Sequence, residues 1–254
     1  MAKAYGFEAN PVPITIIDNQ HRMRYVRYEK PPHSEMDAQA TKTIIRAMVP
    51  RPDVSLVTVF CFGETKNERT FLFPPILRRA VLEKKPSDGS HILVYLTSAF
   101  DSCLDELRKF RRESFLVYGY DRSEQDGPLA FRPFSREGFL DDVASAKAVI
   151  ATAGFTLISE ALCLRKPYLA MPMQGQFEQE LNAFQLAQEG YGKNVAEVDG
   201  ESIGDFLYRL PEYRQQLAGY QRGDNSQIKA KLDELLADDC ALARRFHTLR
   251  TKES

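Results

Sequence analysis

The chain has 254 residues, room for one or two domains at ~150 residues each, and its 43% hydrophobic and 27% charged content is that of an ordinary globule. Lys and Arg (34) nearly cancel Asp and Glu (35), which excludes the broad basic field of a protein living on nucleic acid or an anionic membrane, though not a local basic patch. Cys61, Cys103, Cys163 and Cys240 form no CxxC pair, no apolar stretch approaches ~18 residues, and the start lacks the apolar core of a signal peptide. A cytoplasmic, reduced α/β protein is expected, without zinc ribbon, disulfide framework or membrane span.

In chain order, short β-branched runs alternate with longer helical patterns, the signature of βαβ units. Strands are predicted at Val12–Ile17, Val54–Phe60, Ile92–Leu96, Phe115–Tyr118, Leu129–Arg132, Ala148–Ala151, Tyr168–Met171 and Asn194–Ala196. Helices are predicted at Met36–Met48, Pro75–Leu82, Ala99–Arg111, Arg136–Ser145, Phe155–Leu164, Glu178–Glu189, Ile203–Leu210 and Asn225–Leu236. Charge, Pro and Gly make Lys84–Ser90 the best linker. The expected division is therefore 1–86, a partial α/β domain; 87–237, a doubly wound Rossmann-like parallel sheet; and 238–254, a helix end and polar tail. Ala2–Gly6 reads as a glycine-capped helix end, as if the first domain were entered midway.

The chemistry concentrates in Ala148–Ala161. A strand ends at Ala151, small residues turn, and a helix starts near Phe155, where doubly wound folds bind ligands. Gly154 allows close backbone approach, and the N–H groups of the first helical turn suit a phosphate. Thr156 adds a hydroxyl, and Glu160 suits a diol such as ribose; a plain small-residue turn followed by a solvent-facing Glu is the alternative. Further on, a strand closed by Pro172 leads into Gln174, Gln176, Glu178 and Gln179, directional partners for a polyhydroxylated ligand or simply surface residues at a helix start.

The order Gly154…Ser159-Glu160-Ala161…Lys166-Pro167…Pro172…Glu178-Gln179…Asn182-Ala183 resembles the nucleotide-sugar-binding C-terminal domain of GT-B glycosyltransferases, with the UDP-glycosyltransferases and the peptidoglycan N-acetylglucosaminyltransferase group nearest. The resemblance covers about residues 90–200 and includes Leu129–Phe134. Pro13–His21 is similar to a strand and loop late in the acceptor-side domain. The resemblance implies that Gly154, Phe155 and Thr156 hold a donor diphosphate and Glu160 the ribose. It implies that Glu178 and Gln179 contact the sugar, Asn182 braces the loop, and Phe131 to Phe134, Pro133 among them, lie near the base, with backbone groups reading uracil or a similar ring. Relatives often place Ser or Thr where this chain has Leu157, which moves a hydroxyl contact to Thr156. Many have a glycine-rich turn after the first strand; here that phosphate contact falls to Thr97 or Ser98. The glycine-rich acceptor loop and its frequent base are not found.

Elsewhere, His21 three residues after Asp18 is a candidate base or phosphate contact, weighed against an ordinary loop histidine. Arg22–Tyr28 interleaves cations and aromatics and is expected to be a strand with a cationic face, ahead of an acceptor or single-strand site. No GxSxG or GxxxxGK[ST] run occurs. No DxD-type pair implies a metal, since Asp141-Asp142 and Asp238-Asp239 are read as helical. The expected activity is metal-independent transfer from a nucleotide-diphosphate sugar, UDP-linked for preference, to an unidentified acceptor such as a cell-envelope glycan, lipid or polymer. No separate cofactor and no nucleic acid partner is expected; peripheral membrane contact and self-association through an open sheet edge are left open. The alternatives are a non-catalytic nucleotide-sugar-binding module, a truncated chain acting with a partner, and a nucleotide-sugar epimerase.

Overall fold

A computed structural model describes residues 12–32, 34–49, 52–96 and 100–252. The chain divides into two compact units, Leu77–Arg222 and a second built from the two ends, Met1–Ile76 with Gly223–Ser254. The expected helix end at 2–6 lies outside the described residues.

The end-built unit holds three parallel strands in the order β1 (Thr15–Asp18), β2 (Val54–Thr58), β3 (Thr70–Phe73). All five residues of β2 are buried, as a central parallel strand covered on both faces requires. Between β1 and β2 run α1 (Arg22–Tyr25) and α2 (Glu35–Met48). The predicted cationic strand at 22–28 thus begins as a helical turn. Asp18 accepts the His21 backbone N–H at 2.9 Å, and Tyr25 N–H returns to His21 O at 2.9 Å, so local hydrogen bonding overrides strand propensity. Arg22 is buried, its guanidinium 5.8 Å from the Phe60 ring centre.

The C-terminal segment corrects the expected tail. The long helix α10 (Ser226–Lys252, called α10 after the seven helices of the other unit) is interrupted at Ala237–Cys240, where Asp238, Asp239 and Cys240 have φ of 49°, 52° and 62°. Asp238-Asp239 is therefore a left-handed turn, not a helical pair. On both sides of it the chain packs: Ile228, Leu235, Ala243 and Phe246 join Val54, Leu56 and Phe73 in one apolar cluster. Fully buried Asp53 accepts from Ile14 N–H at 2.7 Å and Arg250 Nε at 2.5 Å, with His247 Nδ1 at 3.2 Å. That carboxylate ties residue 250 to β2.

Leu77–Arg222 contains α3 (Arg79–Glu83), β4 (His91–Tyr95), α4 (Asp101–Leu107), β5 (Ser114–Tyr118), β6 (Gln125–Asp126), β7 (Leu129–Phe131) and α5 (Arg136–Ser145). It continues through β8 (Ala148–Thr152), α6 (Phe155–Cys163), β9 (Tyr168–Met171), α7 (Phe177–Gln188), β10 (Gly192–Asn194), α8 (Gly200–Tyr208) and α9 (Leu210–Ala218). The sheet order is β10-β9-β8-β4-β5-β7-β6, parallel except for β6. One face, through Ile92, Val94, Phe115, Val117, Leu169 and Met171, packs on α4, α8 and α9. Strand alternation turns Tyr95 and Tyr118 the other way, onto Phe139 of α5 at 5.4 and 5.0 Å. Gly192 is dictated by crowding, since a Cβ there would lie 1.8 Å from Tyr168 O.

The proposed linker Lys84–Ser90 belongs inside this unit. Ser87 and Gly89 N–H donate to Ala144 O and Ser145 O at 2.9 and 2.8 Å, and Lys166 Nζ donates to Ser87 O at 2.7 Å. Pro and Gly here mark a tethered loop, and the division falls at 76/77 and 222/223 instead.

Candidate functional site

Reading outward from β4, the strands run β4, β5, β7 to one side and β8, β9, β10 to the other. Connections leave β4 and β8 in opposite directions, which makes their shared carboxyl edge the topological switch point of a doubly wound sheet. Tyr95 pairs with Ala151 there. The segment that follows β4 contains Thr97 and Ser98, which lie outside the described residues.

The segment that follows β8 is a tight turn. Gly154 N–H donates to Thr152 O at 2.9 Å, and Gly154 is the N-cap of α6 with φ −69° and ψ 132°. A Cβ added at Gly154 would meet nothing within 4 Å. Glycine offers no side-chain cap, so this helix start keeps the donor-rich, positive end described for anion sites. Behind the turn, two buried side chains hold its carbonyls. Asn182 Nδ2 donates to Ala153 O at 2.8 Å, and Tyr168 OH donates to Thr152 O at 2.7 Å. Burial pushes the Tyr168 hydroxyl pKa upward, keeping it a donor. Phe155 is half-buried and Thr156 exposed at the first turn.

Glu160 lies five residues beyond Phe155, about 7.5 Å along the helix axis at 1.5 Å per residue. It is buried, and Arg78 grips it with a two-point fork: Nε to Oε1 at 2.8 Å and a terminal nitrogen to Oε2 at 3.0 Å. The solvent-facing alternative for Glu160 is thereby overturned. Its carboxyl pKa is raised by burial, against the lowering effect of Arg78. Arg78 escaped the sequence reading because nothing in the chain ties two residues 82 positions apart.

After β9, Gly175 takes φ 74° and the loop closes through Gln176 N–H to Met173 O at 3.1 Å. Gln179 Oε1 accepts Met173 N–H at 3.2 Å while its Nε2 donates to Gln176 Oε1 at 2.8 Å. Gln179 is therefore a brace of this loop, with one amide hydrogen left over. Glu178 is half-buried in the first turn of α7. A cavity of about 630 Å³ opens beside this loop, lined by Met171–Gln174, Ala196–Val198 and Phe100, Ser102 and Cys103. Its size falls within the usual range of ligand pockets. Of these, Gln174 belongs to the polar run picked out from the sequence, whereas Ser102 and Glu197 were not singled out, because each stands in an otherwise unremarkable polar stretch.

The Phe131 ring is buried in the core against Tyr120, with the Arg122 guanidinium 3.8 Å from its centre. Pro133 and Phe134 are exposed at the carboxyl end of β7, where backbone groups stay available. In the other unit, His21 Nδ1 sits 2.6 Å from Asp18 Oδ2, and the buried Nε2 has no hydrogen-bond partner. The two named catalytic candidates are thus brought together. Among the described residues, no cluster of three or more His, Cys, Asp and Glu side chains fit to hold a metal occurs, and no helix is long and apolar enough to cross a membrane.

With this geometry in place, the chain was compared with known proteins. The model of glycosyl transferase family 1 matches residues 3–211. An uncharacterized glycosyltransferase of Methanosarcina acetivorans is 27% identical over 243 residues, covering 84% of this chain and 60% of that protein. A UDP-N-acetylglucosamine–N-acetylmuramyl-(pentapeptide) pyrophosphoryl-undecaprenol N-acetylglucosamine transferase of Bacillus cereus is 30% identical over 98 residues, 35% of this chain and 27% of that protein. This chain thus spans less than two thirds of the length of these relatives. Among solved structures, the calicheamicin glycosyltransferase CalG4 superposes with a TM-score of 0.58 at 14% identity, covering 93% of this chain and 76% of that one. LpCGTa, solved in complex with UDP, gives 0.56 at 15% identity, covering 98% and 71%. These likenesses show the fold to be the α/β fold of GT-B glycosyltransferases.

Proposed function

The chain belongs to glycosyl transferase family 1, and from that membership we propose that it binds a nucleotide-diphosphate sugar on Leu77–Arg222 and transfers the sugar to an acceptor hydroxyl. The observation that carries the reading is the β8–α6 turn. An uncapped helix start opens beside Gly154 at the switch point, with the Glu160 carboxylate two turns along. In this reading the helix-start N–H groups and Thr156 receive the diphosphate, Glu160 the ribose hydroxyls, and the loop after β9 with Glu178 the sugar. UDP is the favoured carrier, supported by its presence with LpCGTa.

Chemically, the acceptor oxygen forms a bond to the anomeric carbon as the bond from that carbon to the diphosphate oxygen breaks. The electron pair leaves with the nucleoside diphosphate, whose growing charge the aligned N–H groups stabilise. The acceptor proton passes to a base on the acceptor side or to solvent. The reading places the reaction in the cytoplasm, supported by cysteines without a pairing pattern.

Calorimetric titration with UDP and UDP-sugars tests the donor site; absence of heat up to millimolar nucleotide, or binding unchanged in Glu160→Ala, overturns it. Donor binding without transfer to any acceptor extract assigns a binding module instead. Alteration of the sugar with no acceptor present assigns an epimerase.

A further inference from the structure

We propose that Arg78 is a positioning residue of the donor site: its fork fixes the plane of the Glu160 carboxylate so that the open lone pairs receive the vicinal diol of a ribonucleotide. The inference rests on the reading of this unit as a nucleotide-sugar site.

An ionised carboxylate has about four lone-pair positions. Arg78 Nε lies 2.8 Å from Oε1, and its terminal nitrogen lies 3.0 Å from Oε2 and 2.8 Å from Oε1. In the proposal the lone pairs turned away from the guanidinium receive the two adjacent hydroxyls. The carboxylate emerges from α6 among Ile158, Ala161 and Leu162, all fully buried, and the Glu160 side chain is itself only 5% exposed. Burial on that scale would drive an unpaired carboxyl toward its neutral form, and a neutral carboxyl would face one hydroxyl with a donor instead of an acceptor.

Arg78 is held in turn. It is the N-cap of α3, which packs on α6. Its carbonyl accepts Val81 and Leu82 N–H at 3.0 and 3.2 Å, and Arg222 reaches Leu82 O at 3.3 Å. The guanidinium is 46% exposed, so a cation at the surface anchors a carboxylate in the interior. The other titratable group that feels Glu160 is Cys163 on the same helix, whose thiol is near Arg222. A planar fork is needed because a lysine ammonium supplies charge without orientation.

The test is a chemical double-mutant cycle. UDP and 2′-deoxy-UDP are titrated by calorimetry against the whole chain, Arg78→Ala, Arg78→Lys and Glu160→Gln. The wild type should prefer UDP by roughly tenfold or more, the worth of a hydrogen bond to a charged group. Arg78→Ala should bind UDP about tenfold more weakly with the preference largely gone, and Arg78→Lys should restore affinity more than preference. With Arg78→Ala, binding should also be lost at a higher pH as the pH is lowered, because the freed Glu160 protonates earlier. Weakening of both nucleotides alike, with discrimination kept, places Arg78 elsewhere in the site and overturns the proposal. So does full discrimination in Arg78→Ala. Should the arginine variants fail to fold, Glu160→Gln keeps the shape, and discrimination retained there is equally fatal. Failure of the wild type to bind UDP is a different result, which removes the donor reading itself.

Discussion

Gly154→Val separates a ligand-seating glycine from a merely structural one. The backbone there, φ −69° and ψ 132°, is open to any residue, and an added Cβ meets nothing within 4 Å. Two effects on stability nearly cancel. Valine is a poorer N-cap than glycine by up to about 1 kcal/mol, while reduced freedom of the unfolded chain returns about 0.4–1 kcal/mol. The net change should be within about 1 kcal/mol. The isopropyl group, however, fills the space through which a phosphate must approach the N–H groups of α6. Losing one or two charge-assisted hydrogen bonds, each worth about 1.5–3 kcal/mol, should weaken UDP at least tenfold and up to several hundredfold. Urea unfolding and calorimetric titration of one preparation read both quantities. A folded Gly154→Val protein that binds UDP as tightly as wild type refutes the placement of the diphosphate. A loss of more than about 2 kcal/mol in stability would show instead that the glycine serves the fold.

Three further outcomes follow from buried polar groups. Asn182→Leu, at a fully buried position, should strand the Ala153 carbonyl and lower stability by about 1–3 kcal/mol in urea unfolding; an unchanged midpoint would show that the turn holds itself. Asp53→Ala should cost about 3–5 kcal/mol by leaving buried Arg250 without its carboxylate, read as an earlier unfolding transition. Lys166, whose pKa burial lowers to about 8 against the opposing pull of Asp88, should show its cost as a pH dependence. Between about pH 8 and 10.5 the unfolded chain holds the extra proton, so wild-type stability gains as pH rises. The difference from Lys166→Met should move in favour of wild type by about 2–3 kcal/mol over that window, and a flat difference would contradict the assignment.

Much of the Leu77–Arg222 unit was legible because parallel strands covered on both faces read as short apolar runs: Ile92–Leu96, Ala148–Ala151 and Tyr168–Met171 contain β4, β8 and β9 within a residue or so. Elements that escaped have weak local signals. β3 is four residues ended by Pro74, and α9 follows α8 almost without a break, with Pro211 at its start. The tail looked frayed because its Arg244-Arg245 pair drew attention from Ala243, Phe246 and Arg250, one buried face at helical spacing. Within the site, Gly154, Glu160 and Asn182 were visible as a spaced motif. Arg78 at Glu160, and Tyr168 as a clamp, depend on pairings 82 and 16 positions apart, which no local pattern encodes.

One physical feature reconciles a nearly neutral chain with the proposed diphosphate site. A backbone turn offers carbonyl oxygens as readily as N–H groups, and carbonyls would repel a diphosphate. Here the carbonyls of Thr152 and Ala153 are engaged from behind by Tyr168 OH and Asn182 Nδ2, while Gly154 leaves the opposite side bare. The local potential is then set by which backbone dipoles are covered, not by a surplus of lysine and arginine. Such a field is short-ranged, falling off within the first helical turn, so it makes no demand on net charge. Composition could therefore exclude only long-range attraction. The polarity of the turn is set instead by two buried donors whose partners are main-chain oxygens, so in the proposed site side chains that never touch the diphosphate would govern its binding.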